Sequence, residues 1–199
     1  ADEVQTKLLF PAGADQEQVR KLVQQLASNI GDYVFAVDGL NEQQGGLVSV
    51  IDQLMHQREL TLAVQETVSQ GLIAAKCIGQ PWLLVASFSQ SLQQLSDKFN
   101  IQFEANASFE MAECIAHKIK QQEGSDLVLV QLYKGSTEQF QHKDQSIVIY
   151  NLLLMPEGIR RSEFNIGGSL QRKQNQSALL ALDLLRRYLQ NKNSYNDSF

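Results

Sequence analysis

Residues 60–74, Leu60-Thr61-Leu62-Ala63-Val64-Gln65-Glu66-Thr67-Val68-Ser69-Gln70-Gly71-Leu72-Ile73-Ala74, constrain the fold more than any other stretch. Leu60 to Val64 alternates as a strand does, and a short polar turn carrying Glu66, Thr67 and Ser69 follows. Small apolar residues then suit a helix from about Gln70 to Cys77. A strand that passes through a hydroxyl-bearing turn into a helix N-terminus can present polar side chains and free backbone N–H donors to an anionic ligand.

The rest of the chain alternates in the same manner. Val4 to Phe10 and Tyr33 to Val37 read as strands on either side of a helix over Asp15 to Ile30, whose apolar stripe is Val19, Leu22, Val23, Leu26, Ala27 and Ile30. Leu47 to Arg58, Ser91 to Phe99, Ser108 to Gln121 and Leu170 to Gln190 read as further helices. Trp82 to Ala86 is continuously apolar, as expected of a strand buried on both faces, and Leu127 to Leu132 is broken only by Gln131. Ile147 to Met155 and Ile159 to Ile166, joined at Pro156-Glu157-Gly158, read as a hairpin. The implied architecture is an α/β three-layer sandwich with a mixed sheet, preceded by a small β-α-β segment. We divide the chain into residues 1–40, 41–190 and a polar, disordered tail at 191–199.

Composition narrows the function. A net charge of −5 argues against nucleic acid as the main partner, which needs a concentrated basic face. The apolar runs are too short to cross a bilayer and no N-terminal run has the shape of a signal peptide, so we expect no membrane partner. Cys77 and Cys114 both fall in helical patterns, far apart and without metal-ligand neighbours, and read as buried reduced thiols, consistent with a cytoplasmic protein. His56, His117 and His142 are isolated in sequence and read as surface or packing residues. No metal and no cofactor is expected. The start at Ala1, without an initiator Met, suggests a piece of something longer.

The 60–74 stretch resembles the signature T-L-A-V-A-E-S-C-T-G-G-L-I-A of the CinA C-terminal domain family, the nicotinamide-nucleotide amidases or nicotinamide mononucleotide deamidases. Ile30-Gly31-Asp32-Tyr33-Val34-Phe35 with Asp38-Gly39 is similar to the end of that family's small KH-like region, which makes the opening β-α-β segment a KH-like remnant. Gly79-Gln80-Pro81-Trp82, Gly158-Ile159-Arg160-Arg161, Gly167-Gly168 and Ser177 to Leu185 resemble its later segments in the right order. The resemblance implies a hydrolase fold, a pyridine nucleotide such as nicotinamide mononucleotide as partner, a homodimer, and an upstream molybdopterin-binding-like domain in the full-length protein.

Carried over position by position, the resemblance places Thr67 and Ser69 as catalytic hydroxyls and Glu66, Gly71 and Ser89 as ligand-binding residues. The chain departs from the pattern where chemistry is done. Val68 stands at the signature Cys and Gln70 at its first Gly. Phe88 and Gln93 stand at the tyrosine and lysine of the Y-S-N-x-x-K segment, and Leu132 to Ser136 does not match the G-I-A-G-P loop. Amide hydrolysis needs a nucleophile or activated water, a base and oxyanion donors. Phe88 has no phenol, and Gln93 takes no proton at neutral pH. The expected reading is a degenerate domain, a pseudoenzyme that is inactive or weakly active with a remnant nucleotide pocket. Two rivals are an active amidohydrolase in which Lys98 or Lys134 replaces the base, and a structural or oligomerisation domain of a larger CinA-like protein. Thr67 and Ser69 read more simply as caps of the helix that follows. Arg160 and Arg161 suit surface salt links, and Arg186 and Arg187 suit the C-terminal dipole of the last helix.

Overall fold

A computed structural model describes residues 6–34, 36–37, 45–102 and 106–192. Five strands form one mixed sheet in the order β2-β1-β3-β4-β5. They are β1 Leu62–Glu66, β2 Leu83–Phe88, β3 Leu127–Lys134, β4 Ile147–Met155 and β5 Gly158–Ile166. β1 pairs in parallel with β2 and β3, whereas β4 is antiparallel to both β3 and β5. The helices are α1 Gln16–Ile30, α2 Leu47–Arg58, α3 Leu72–Lys76, α4 Leu92–Phe99, α5 Phe109–Glu123, α6 Thr137–Gln141 and α7 Leu170–Leu189. Among the described residues no helix is long and apolar enough to cross a membrane.

The sheet separates two apolar cores. Val50, Ile51, Leu54 and Met55 of α2 and Ala178, Ala181, Leu182 and Leu185 of α7 pack with Val64 and Leu129 on one face. Leu95 and Phe99 of α4 and Ile115, Ala116 and Ile119 of α5 pack with Ala63, Val128 and Val130 on the other. Successive strand residues point to opposite faces, so β1, buried throughout, and β3, buried from Leu127 to Leu132, feed both cores. Serines start α4, α5, α6 and α7: Ser91, Ser108, Ser136 and Ser169 each accept a backbone N–H of the first turn, and Ser136 completes a capping box with Gln139.

Several expectations need correction. β2 lies at the edge of the sheet, with Leu84 and Phe88 about half exposed, because among the described residues no strand covers its outer side. Its apolar run reflects contact with both cores, through Leu83 and Ala86 on one face and Val85 on the other. Of the opening β-α-β segment the helix forms, capped by Asp15, which accepts from Glu17 N at 2.8 Å. Residues 6–10 lie in no strand and Leu9 is 93% exposed. Gly31–Tyr33 is a 3-10 turn, and Val34, Ala36 and Val37 are irregular. An isolated pair of strands is marginal in water without a third strand or a packed face. Val4, Gln5, Phe35, the boundary at residues 40 and 41, and most of the expected tail lie outside the described residues. Cys77 is buried as expected, but Cys114 is exposed because it stands on the outer side of α5.

Arg186 and Arg187 do more than suit a helix dipole. Both bind Asp183, and they reach Asp32 as well, Arg186 through the carbonyl at 2.9 Å and Arg187 through the carboxylate at 3.7 Å. Lys192 donates to Val34 O at 3.0 Å. The end of α7 therefore holds the segment that follows α1. Arg161 does form the surface link expected of it, 2.7 Å from Glu113.

Candidate active site

The signature turn joins β1 to α3 at the C-terminal ends of the parallel strands, where β1 leads to neighbours on both sides. Open α/β sheets bind ligands at such switch points. Glu66, the last residue of β1, is completely buried. Its carboxylate accepts backbone N–H bonds from Gly71 at 3.0 Å, Ile73 at 3.1 Å and Ala74 at 3.0 Å. These are donors that the first turn of α3 would otherwise leave unpaired. The chain has thus filled its own anion position with Glu66.

Ser69 is equally buried, and its hydroxyl stands 2.6 Å from Glu66 Oε2 and 2.6 Å from Gln131 Oε1. Its backbone N–H donates to the same Gln131 oxygen at 3.0 Å. Thr67 donates through Oγ1 to the carbonyl of Gln131 at 3.0 Å. Neither hydroxyl caps α3; that role falls to Glu66, and Thr67 and Ser69 fasten the turn to β3 instead. Val68 packs with Phe140, Ile147, Ile149 and Ile166 and closes the turn from the other side.

Gln70 stands in the left-handed region at φ 50, where a glycine is unstrained, and Gly71 follows at φ 89. The Gln70 side chain accepts from Gln174 of α7 at 2.7 Å, laying an amide pair across the turn. Ser89 is buried, accepting from Gln65 Nε2 at 3.4 Å, and its N–H donates to Glu66 O at 3.0 Å. Phe88 is half exposed, and Gln93 donates to Asp97 along its own helix at 2.8 Å. The structure gathers Glu66, Thr67, Ser69 and Gly71, and places Ser89 one backbone bond away.

It does not bring either lysine to those hydroxyls. Lys98 donates to Gln65 Oε1 and Ser87 Oγ, on the α4 side of the sheet, whereas Glu66 and Ser69 lie on the α7 side. Lys134 is exposed at the end of β3. Burial lowers the pKa of Lys98, with Glu123 opposing. Burial pushes the Cys77 thiol up to about 12, with Glu66 adding to the effect and Lys76 opposing it.

Two features of the site escaped the sequence reading. Gln131 is the hub of a buried polar row: its Nε2 donates to Ser177 O at 2.9 Å and to Asn151 Oδ1 at 3.4 Å, and Asn151 donates to Ser162 at 3.3 Å. The signal was present, since a lone amide inside an apolar strand must find partners. Lys173, completely buried on α7, donates to the carbonyls of Gln139, Phe140 and His142 and so fixes the short helix α6 beside the turn. A concavity of about 600 Å³, lined by residues including Ala27, Gly31, Leu54 and Leu189, lies at the far end of α7 and away from this turn. Among the described residues no cluster of three or more His, Cys, Asp or Glu could hold a metal.

No protein-family model matches the chain. A CinA-like protein of Desulfotalea psychrophila is 29% identical over 171 residues, 80% of this chain and 40% of that protein. Another from Dictyoglomus thermophilum is 23% identical over 190 residues, 88% of this chain and 44% of that one. The chain therefore spans less than half the length of these curated relatives. A solved CinA superfamily protein from Klebsiella pneumoniae superposes with a TM-score of 0.62 at 13% identity, covering 73% of this chain and 96% of its own. One from Escherichia coli gives 0.57 at 13% identity, covering 82% and 98%. At that identity the solved structures establish a shared fold.

Proposed function

We propose that this chain, a CinA-family member, keeps the frame of the amidase-like domain and has lost, or nearly lost, hydrolysis of nicotinamide mononucleotide. The observation that carries the reading is that none of Gln93, Lys98 and Lys134 reaches the turn's hydroxyls, which are tied up within the fold. Glu66, Thr67 and Ser69 are buried and bonded to one another, to β3 and to the amides of α3. A nucleophile needs a base within reach and a developing oxyanion needs free donors. Here the donors at the helix start are occupied by Glu66, and Phe88 and Gln93 supply neither phenol nor base. The turn then works as a structural element that locks β1, β3 and α3, beside which a remnant pocket for a pyridine nucleotide can persist.

Ammonia release from nicotinamide mononucleotide, with Thr67→Ala as control, tests this. Release no greater than the control is expected. Turnover comparable to a complete family member would overturn the reading. A thermal shift with the same nucleotide then separates a remnant pocket from none, since a ligand that binds only the folded state stabilises it.

A second reading, assembly within a longer protein or a homodimer, is favoured by α1. None of its residues is buried, and Leu22 and Ile30 of its apolar stripe are 52% and 43% exposed. Light scattering that shows a clean monomer would speak against the dimer.

A further inference from the structure

On the α4 side of the sheet Gln65, Ser87 and Lys98 close a triangle of hydrogen bonds. Lys98 Nζ donates to Ser87 Oγ at 2.9 Å and to Gln65 Oε1 at 3.0 Å, and Ser87 Oγ donates to Gln65 Oε1 at 2.8 Å. Gln65 is completely buried, and its Nε2 is held by Glu66 O at 3.0 Å, which fixes Oε1 toward the other two groups. A hydroxyl and an amine at hydrogen-bond distance, both oriented by a third rigid group, form the constellation by which nucleophile and base are recognised.

Two further observations set the pair apart from an ordinary surface contact. Among the described residues no carboxylate lies within ion-pair distance of Lys98; two neutral oxygens and the face of the Phe99 ring, 5.0 Å from Nζ to its centroid, receive it. Its lowered pKa makes the free amine easier to reach. Ser87, only half-buried, stands near the C-terminal end of β2 and registers with Gln65 on β1, at the end of the sheet where α/β folds meet their substrates.

We propose that Ser87 and Lys98 are a nucleophile–base pair that accepts the acyl group of small carboxylic esters. Lys98, as free amine, takes the Ser87 hydroxyl proton as Oγ bonds to the carbonyl carbon, whose π pair moves onto oxygen. When that pair returns, the C–O bond to the alcohol breaks and the alcohol leaves with the proton from Lys98. Water repeats the sequence on the acyl-serine, with Lys98 again taking and returning the proton, and the carboxylic acid is released. This pair lies across the sheet from Ser69, and the proposal stands independently of the fate of nicotinamide mononucleotide hydrolysis.

The test is labelling of the full chain with an alkyl fluorophosphonate, in which the Ser87 Oγ–P bond forms, fluoride leaves and the proton passes to Lys98. Peptide mass mapping should place one adduct on Ser87, absent in Ser87→Ala and formed about a hundredfold more slowly in Lys98→Met. Lys98→Arg keeps a cation and its donors but cannot take a proton, so it should be as slow as Lys98→Met. No adduct on Ser87 overturns the proposal. So does a rate that Lys98→Met leaves unchanged or that Lys98→Arg restores. Thermal melts of each variant verify that folded proteins are being compared.

Discussion

Gln131 Oε1 receives both the backbone N–H of Ser69, at 3.0 Å, and stands 2.6 Å from the Ser69 hydroxyl. One amide on the third strand thus holds the turn that follows the first. Gln131→Leu would leave the Ser69 N–H buried without a partner and would remove a donor from Asn151 Oδ1 and from the Ser177 carbonyl. The expected loss is about 1–3 kcal/mol of unfolding free energy, read from urea denaturation. Unchanged stability would show that the polar row contributes nothing.

Glu66→Ala should be costlier, because it strips the partner from three backbone donors at once and leaves the Ser69 hydroxyl only Gln131. About 3 kcal/mol or more is expected. Amide hydrogen exchange of α3 should accelerate in this variant before that of β3 does.

Gln70→Gly removes a side chain from a left-handed position at φ 50. Relief of backbone strain, offset by a looser unfolded chain and the lost contact with Gln174, should raise stability by less than about 1 kcal/mol. Ammonia release from nicotinamide mononucleotide should not rise in the same variant, since no base is restored.

Asp126 clips the starts of β1 and β3 together. It accepts from Thr61 N at 2.8 Å and Thr61 Oγ1 at 2.6 Å, and these bonds hold its carboxyl below the usual range, burial opposing. A carboxylate with a lowered folded pKa stabilises the protein above its unfolded pKa, about 3.9, and that stability is lost as pH falls through the folded pKa. The stability gap between the native protein and Asp126→Asn should therefore be full at neutral pH and shrink below about pH 4 in acid titrations. A gap independent of pH would exclude this role.

The two thiols should behave differently. Cys114 is exposed, while burial pushes Cys77 up to about 12. A thiol reagent at pH near 8 should modify Cys114 in the folded protein and Cys77 only after unfolding, since the thiolate is the reactive form. Mass mapping distinguishes the two sites.

The sequence by itself determined the periodic elements and their order. Leu47 to Arg58, Ser91 to Phe99 and the hairpin from Ile147 to Ile166 stand in the structure almost to the residue, because hydrophobic period and capping serines are local properties. The short helix α6 carries too few residues for a period to be seen, and the edge position of β2 cannot be read from a strand that touches both cores. At the site, the sequence supplied the residues Glu66, Thr67 and Ser69 but not their partners. Register decided those: β1 against β3 brings Gln131 to Ser69, and β1 against β2 brings Gln65 to Ser87. The alternation of strand faces then puts Lys98 and Ser69 on opposite sides of one sheet. Glu66 finds its partners within the next turn of chain, whereas Gln131, which bonds Thr67 and Ser69, comes from a distant strand that only the packed sheet brings within reach.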